Sequence, residues 1–228
     1  MAAPGVVVLD VNETLSDMAP MAGTFAEVGA APHLAQLWFA SVLRDGFALA
    51  ATGTLRPFPV VAEGVLRVLL AGQPLDRPLD GAVEHVLAGM SALAVHDDVP
   101  QGVRLLRDAG FRLVTLSNGA ADVAGRLLAR AGLRDAFELL LSVEDAGLWK
   151  PSPVAYAYAA RRCGVRVQDL TLVAAHPWDV TGAARAGAST AWVDRSGVPY
   201  PAHLDPPDVT GTSLPDVARR LADRVPTS

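Results

Sequence analysis

The sequence predicts an α/β fold, a doubly wound and mainly parallel sheet with a helical segment inserted after its first strand. Three observations predict it: short, continuous, β-branched runs recur along the chain, stretches of helical period separate them, and one long early stretch has helical period but no strand. Residues 6–9 (Val6, Val7, Val8, Leu9) form the first run, which suits a strand buried on both faces and leaves Asp10 at its carboxyl end. Comparable runs follow at 111–116, 138–142, 170–174 and 190–193. Between them, 99–109, 120–131 and 153–163 carry helical period, with Gly110, Gly132 and Gly164 just past each as C-terminal stops. Right-handed crossovers on this βαβ rhythm build an open sheet whose ligands bind beyond the carboxyl ends of the strands.

Residues 16–95 break the rhythm. Helical segments are expected at 33–51, 59–71 and 82–93, punctuated by Gly53, Pro57, Pro59 and the loop chemistry of 72–78. The expected division is a core domain from 1–15 and 96–228, with 16–95 as a helical cap over the mouth of the sheet. A last amphipathic helix is expected at 214–224, ahead of a frayed tail at 225–228.

Composition narrows the function classes. The 228 residues are 51% hydrophobic and 19% charged, so disorder is excluded. The formal charge of -5 is spread without blocks and offers nucleic acid no basic footprint. A lone Cys163 cannot form an internal disulfide, which fits a reducing, cytoplasmic setting. Residues 1–9 lack a basic n-region and a long apolar run, so neither a signal peptide nor a membrane span is expected.

The chemistry-bearing residues fall at strand ends. Asp10 leaves a buried strand and enters a loop able to aim backbone N–H groups at one point, which suits a nucleophile or metal ligand; a turn Asp is the competing reading. Ser117, Asn118 and Gly119 follow the second run, where a hydroxyl, an amide and a glycine supply donors for an anion, although this is also ordinary turn composition. Lys150 precedes Pro151 after the third run, where the proline is expected to start a helix and fix the lysine near the same edge. Asp179 follows the fourth run and could cap the next helix.

Together these residues resemble the four motifs of the haloacid dehalogenase (HAD) superfamily, in order and at the right strands: Asp10 to Leu15 the first, Ser117 and Asn118 the second, Lys150 and Pro151 the third, Asp179 the fourth. The resemblance covers nearly the whole chain and implies a Rossmann-like core with a cap inserted after the first strand. Superfamily phosphatases place a second Asp two residues after the nucleophile and an acidic magnesium ligand four residues before the retained Asp. Here those positions are Asn12 and Ala175. An amide cannot serve as general acid, a loss of ~10²–10⁴-fold, and a methyl group cannot hold magnesium. Both losses are tolerable in the L-2-haloacid dehalogenase (type II) branch, whose leaving group is halide and whose electrophile is carbon.

The resemblance therefore implies a hydrolase acting on carbon–halide bonds of short 2-haloacids, with no cofactor and no metal. It assigns catalysis to Asp10, Lys150 and Asp179, and substrate contacts to Thr14, Ser117, Asn118, Tyr156 and Trp178, with Ser117 and the amides of Val11 and Asn12 on the substrate carboxylate and Asn118 near the halide. His176, beside the expected water site, is assigned to position or deprotonate the hydrolytic water. The branch also places an arginine after a cap tryptophan to receive the halide. Here Trp38 is followed by Phe39, so these two are expected to wall a more apolar pocket; Arg44, five residues on at ~100° each, lies about 140° around the helix. Phe47 and Phe58 are read as packing. Two other readings stay open, a phosphatase of unusual substrate and a catalytically idle binding protein on the same scaffold. The expected partner is a small-molecule 2-haloacid, with a homodimer allowed by the habit of relatives and by a mean hydropathy of +0.29.

Overall fold

In the computed structural model, residues 5–224 are described. Strand β1 (Val6–Leu9) lies inside a six-stranded sheet, paired with β2 (Arg112–Ser117) on one side and β4 (Leu170–Ala174) on the other. The full order is β3-β2-β1-β4-β5-β6, with β3 (Leu139–Ser142), β5 (Ser189–Val193) and β6 (Val209–Gly211), and every pairing is parallel. Parallel register aligns all the carboxyl ends: Leu9 faces Thr115 and Val173, and Ser117 faces Ser142. The residue after each strand thus arrives at one edge.

Although the first run is continuously apolar, its side chains alternate. Val6 and Val8 enter one core with residues of α8 (Pro153–Cys163) and α9 (Pro177–Ala186). Val7 and Leu9 enter another with α5 (Val99–Asp108) and α10 (Leu214–Ala222). Helix α6 (Ala121–Arg130) follows β2, and the four-residue α7 (Val143–Ala146) follows β3.

Four helices lie between β1 and α5: α1 (Met21–Ala26), α2 (Leu34–Ala51), α3 (Phe58–Leu70) and α4 (Leu79–Ala92). The chain leaves for them and returns at one point. Ser16 bridges Val95 antiparallel, Asp17 N–H donates to Ala94 O at 2.9 Å, and His96 N–H donates to Leu15 O at 2.9 Å. Arg195 fastens this neck from beyond β5, donating to Thr14 O at 2.9 Å and to Asp98 Oδ2 at 2.8 Å.

The structure adds α1, α7 and β6 to the expected elements. Each is short, and β6 is a three-residue Val-Thr-Gly behind two prolines, too brief to show a period. Proline corrects two helix starts: Pro78 and His176 are the N-caps, so α4 begins at Leu79 rather than 82 and Asp179 sits inside the first turn of α9; α8 spans 153–163 as its period predicts, opened by Pro153 and not by Pro151. The last helix ends at Ala222, and the expected tail at 225–228, like residues 1–4, lies outside the described residues.

Candidate active site

The site is built from the bottom of the Asp10 loop. Asp10 N–H extends the β1 ladder by donating to Val173 O at 3.0 Å, which fixes the backbone before the loop turns. The carboxylate is then divided between two donors. Lys150 Nζ reaches Oδ1 at 2.7 Å and the Thr14 hydroxyl reaches Oδ2 at 2.7 Å. Thr14 Oγ1 in turn accepts the Ala175 N–H at 2.9 Å, so the ends of β1 and β4 are tied through the carboxylate.

Lys150 Nζ also donates to Asp179 Oδ2 at 2.7 Å, and the Tyr156 hydroxyl donates to Asp179 Oδ1 at 2.6 Å. Lys150 itself is held by Asn118, whose Oδ1 accepts Lys150 N–H at 2.9 Å and whose Nδ2 donates to Lys150 O at 3.4 Å. Ser117 Oγ accepts Gly119 N–H at 2.9 Å, which leaves its own hydroxyl hydrogen free for a ligand. Gly182 on α9 lets this cluster close: a Cβ there would stand 2.6 Å from the Tyr156 hydroxyl and 2.6 Å from Pro151.

Asp10, Thr14, Lys150 and Asp179 are all buried, Lys150 and Asp179 completely. Such charges persist only when paired. Burial works to lower the Lys150 pKa, but Asp10 and Asp179 outweigh it and hold it above the ordinary lysine value. Burial also works to raise Asp10; Lys150, His176 and the Thr14 hydrogen bond reverse that and hold the carboxyl below its usual range. For Asp179 burial wins: its carboxyl is raised, the charge of Asp10 adding to the effect against the pull of Lys150. Tyr156 is pushed well up by burial and by Asp179, so it stays a donor. The cluster is asymmetric, with Asp10 the more acidic carboxyl.

An aromatic rim stands over it. The His176 ring stacks between Trp178, at 5.1 Å, and Phe39, at 6.2 Å, and Lys150 Nζ lies 5.9 Å from the Trp178 ring. His176 Nε2 faces Asn12 O at 3.2 Å, Glu13 Oε2 at 3.4 Å and Asp10 Oδ2 at 4.0 Å. Two cavities adjoin the loop. One of about 130 Å³ is lined by Val11, Asn12, Ser117 and Gly119 and walled by apolar residues such as Phe58 and Ala62. The other, about 820 Å³, is lined by Glu13, Phe39, Ala175, His176 and Arg195 among others.

Of the expected site residues, the structure gathers Asp10, Val11, Asn12, Thr14, Ser117, Asn118, Lys150, Tyr156, His176, Trp178, Asp179 and Phe39 at this edge. It places Trp38 elsewhere. One residue from Phe39 is about 100° of helix rotation, and that turns Trp38 into the packing of the inserted helices, against Phe25 at 5.9 Å, with Nε1 donating to Ala62 O at 3.0 Å. Arg44 points to solvent and pairs with Asp45. Phe47, read as packing, reaches the rim edge-on to Trp178 at 4.8 Å. Phe58 lines the smaller cavity while stacking on Trp149. Glu13 was not singled out, since it carries no signal beyond its place in the motif.

A divalent ion does not fit beside Asp10. The Lys150 ammonium stands between the two carboxylates at 2.7 Å from each, and the positions two after Asp10 and four before Asp179 are Asn12 and Ala175 rather than acids. Among the described residues no group of three or more His, Cys, Asp or Glu converges as a metal site.

Comparison with known proteins points to one family. Residues 5–187 match the family of haloacid dehalogenase-like hydrolases. The chain is 29% identical over 211 residues to an (S)-2-haloacid dehalogenase of Pseudomonas sp. (strain YL), covering 91% of this chain and 90% of that one. It is 30% identical over 191 residues to an (S)-2-haloacid dehalogenase of Xanthobacter autotrophicus, covering 83% and 74%. The solved structure of L-2-haloacid dehalogenase from Xanthobacter autotrophicus with chloropropionic acid covalently bound superposes with a TM-score of 0.85 at 26% identity, over 97% of this chain and all of that one.

Proposed function

The chain belongs to the haloacid dehalogenase-like hydrolases, and from that premise we infer that it converts short 2-haloacids to 2-hydroxy acids by hydrolysis of the carbon–halide bond. The observation that carries this is Lys150, buried between Asp10 and Asp179 at 2.7 Å from each, with Asn12 and Ala175 where phosphorus chemistry would need an acid and a metal ligand.

In the first half, Asp10 attacks the α-carbon in line and displaces halide, forming an aspartyl ester. A carboxylate kept ionised by Lys150 suits that task, and halide leaves without a proton. The free Ser117 hydroxyl and the Val11 and Asn12 amides hold the substrate carboxylate in the smaller cavity, under the cap formed by the inserted helices. Asn118, spent on the backbone of Lys150, positions the lysine beside any halide contact. Phe39, His176 and Trp178 wall the leaving-group side. In the second half water attacks the Asp10 carbonyl, Lys150 stabilises the tetrahedral oxyanion, and His176 positions the water. Asp179, oriented by Tyr156, keeps Lys150 aimed.

The assembly we propose is a homodimer in a reducing, cytoplasmic setting. Leu37, Val60 and Val68, the last 80% exposed, line a groove between α2 and α3 that pairing would cover. No helix of the described residues is long and apolar enough to cross a membrane.

Halide release from chloro-, bromo- and fluoroacetate with chelator present, set beside phosphate release from a generic ester with magnesium, tests the activity. Halide without phosphate is expected; magnesium-stimulated phosphate release without halide would overturn it. Single turnover in ¹⁸O water should leave label in Asp10.

A further inference from the structure

We propose that Arg195 is a positioning residue for the nucleophile: it holds the Thr14 carbonyl, and through it the Thr14 hydroxyl, so that Asp10 meets the substrate in one orientation. This rests on the ester route above and adds a part that none of the strand-end residues supplies. The chain of contacts is short. Arg195 Nη2 donates to Thr14 O at 2.9 Å, the Thr14 hydroxyl donates to Asp10 Oδ2 at 2.7 Å, and Thr14 Oγ1 accepts Ala175 N–H at 2.9 Å. Arg195 therefore reaches the carboxylate through Thr14.

The loop after β1 is held carbonyl by carbonyl. Val11 O accepts the N–H groups of Leu15 and Ser16 at 2.9 Å each, Asn12 O faces His176 Nε2 at 3.2 Å, Glu13 O faces His96 Nε2 at 3.1 Å, and Leu15 O accepts His96 N–H at 2.9 Å. Thr14 is the residue of this loop whose side chain grips the nucleophile, and among the described residues Arg195 is the donor to its carbonyl. Glu13, just before it, has φ 59°, a conformation that a non-glycine residue keeps only under outside restraint. Arg195 supplies restraint from 181 positions away.

The guanidinium is anchored independently of the site. Nη1 pairs with Asp98 Oδ2 at 2.8 Å, and that oxygen also accepts Leu214 N–H at 2.8 Å where α10 starts, while Asp98 itself is the N-cap of α5. Burial works to raise the Asp98 carboxyl, but Arg195 and the Leu214 amide hold it below its ordinary value, so the anchor stays charged. Two nitrogens of one planar fork thus join the nucleophile loop to the starts of two helices, which a single ammonium cannot reproduce. Arg195 also lines the 820 Å³ cavity, and that cavity shares no lining residue with the smaller one in which the substrate carboxylate is placed. Its contribution therefore falls on the chemical step rather than on substrate affinity.

Rapid-quench single turnover over a range of chloroacetate concentrations reads the maximal halide burst and its half-saturation separately. Arg195→Met should slow the maximal burst about 10–10²-fold, the cost of a misplaced reacting group, with half-saturation within about twofold of the wild type. Arg195→Lys should keep most of the urea resistance, because the pair with Asp98 survives, and still burst slowly, because the second donor is gone; this separates positioning from folding. In a Thr14→Val background, Arg195→Met should cause no further loss of burst rate, since its effect passes through the missing hydroxyl. A wild-type burst rate in either Arg195 variant, or losses that multiply in the double variant, would overturn the assignment. So would a raised half-saturation at an unchanged burst rate, which would mark Arg195 as a substrate-docking group instead. A wild-type enzyme that releases no halide would bring down the ester route, and this role with it.

Discussion

Lys150 Nζ lies 2.7 Å from Asp10 Oδ1 across 140 positions of sequence, and the parallel register of β1, β2 and β3 is what closes that gap. Removing the cation leaves two buried carboxylates facing each other. Lys150→Met should cost about 3–5 kcal/mol in urea unfolding and abolish measurable halide release. Adding Asp179→Asn should recover stability but not activity, because the like-charge contact goes while the partner of Asp10 is still missing.

Asp10→Asn keeps the shape of the side chain but not the nucleophile. Halide release should fall at least about 10³-fold, with no ester in the intact mass, and the unfolding midpoint should drop because the ion pair with Lys150 is lost. Undiminished turnover would remove Asp10 from the mechanism.

The two carboxyls of the cluster titrate in opposite senses. Asp10 is lowered in the fold, so the stability its ionised form contributes is present above the unfolded value of about 3.9 and is lost as pH falls through the lower folded value. Asp179 is raised, so its ionisation costs stability above its folded value, and that cost disappears on acidification. The halide burst should therefore hold steady from neutral pH down to about pH 4 and fall only below it, as read by stopped flow. An acid limb centred near neutrality would contradict the ionisation assigned to Asp10.

Gly182→Ala alters no polar group, yet its methyl would meet the Tyr156 hydroxyl and Pro151 at 2.6 Å. Overpacking of this kind costs about 1–3 kcal/mol. Because Tyr156 orients Asp179, kcat should drop with KM little changed. The double variant Gly182→Ala with Tyr156→Phe should recover part of the stability by removing the struck hydroxyl.

Most of the sheet was legible in the sequence because each central strand is a dense apolar run, and parallel burial demands such runs. Asp10, Lys150 and Asp179 were legible because each follows a strand, Asp10 directly after β1, Asp179 five residues after β4 and Lys150 eight after β3. Tyr156 came through family resemblance, since nothing local separates it from Tyr158 in the same alanine-rich helix. Rotation about a helix was harder to read: Trp38 and Phe39 are neighbours in sequence, but only one faces the rim. Phe47 reaches Trp178 through the tertiary placement of α2, which no local pattern encodes.

The bridge between Ser16 and Val95 makes the inserted helices begin and end at a single address on the sheet. Whatever is threaded between those two residues leaves the order of the strands untouched, so that stretch is free to diverge under selection for which acid is admitted. The nucleophile has no such freedom. His96, the first residue after the bridge, holds the carbonyl of Glu13, so any new insertion must still deliver its returning strand to that same grip.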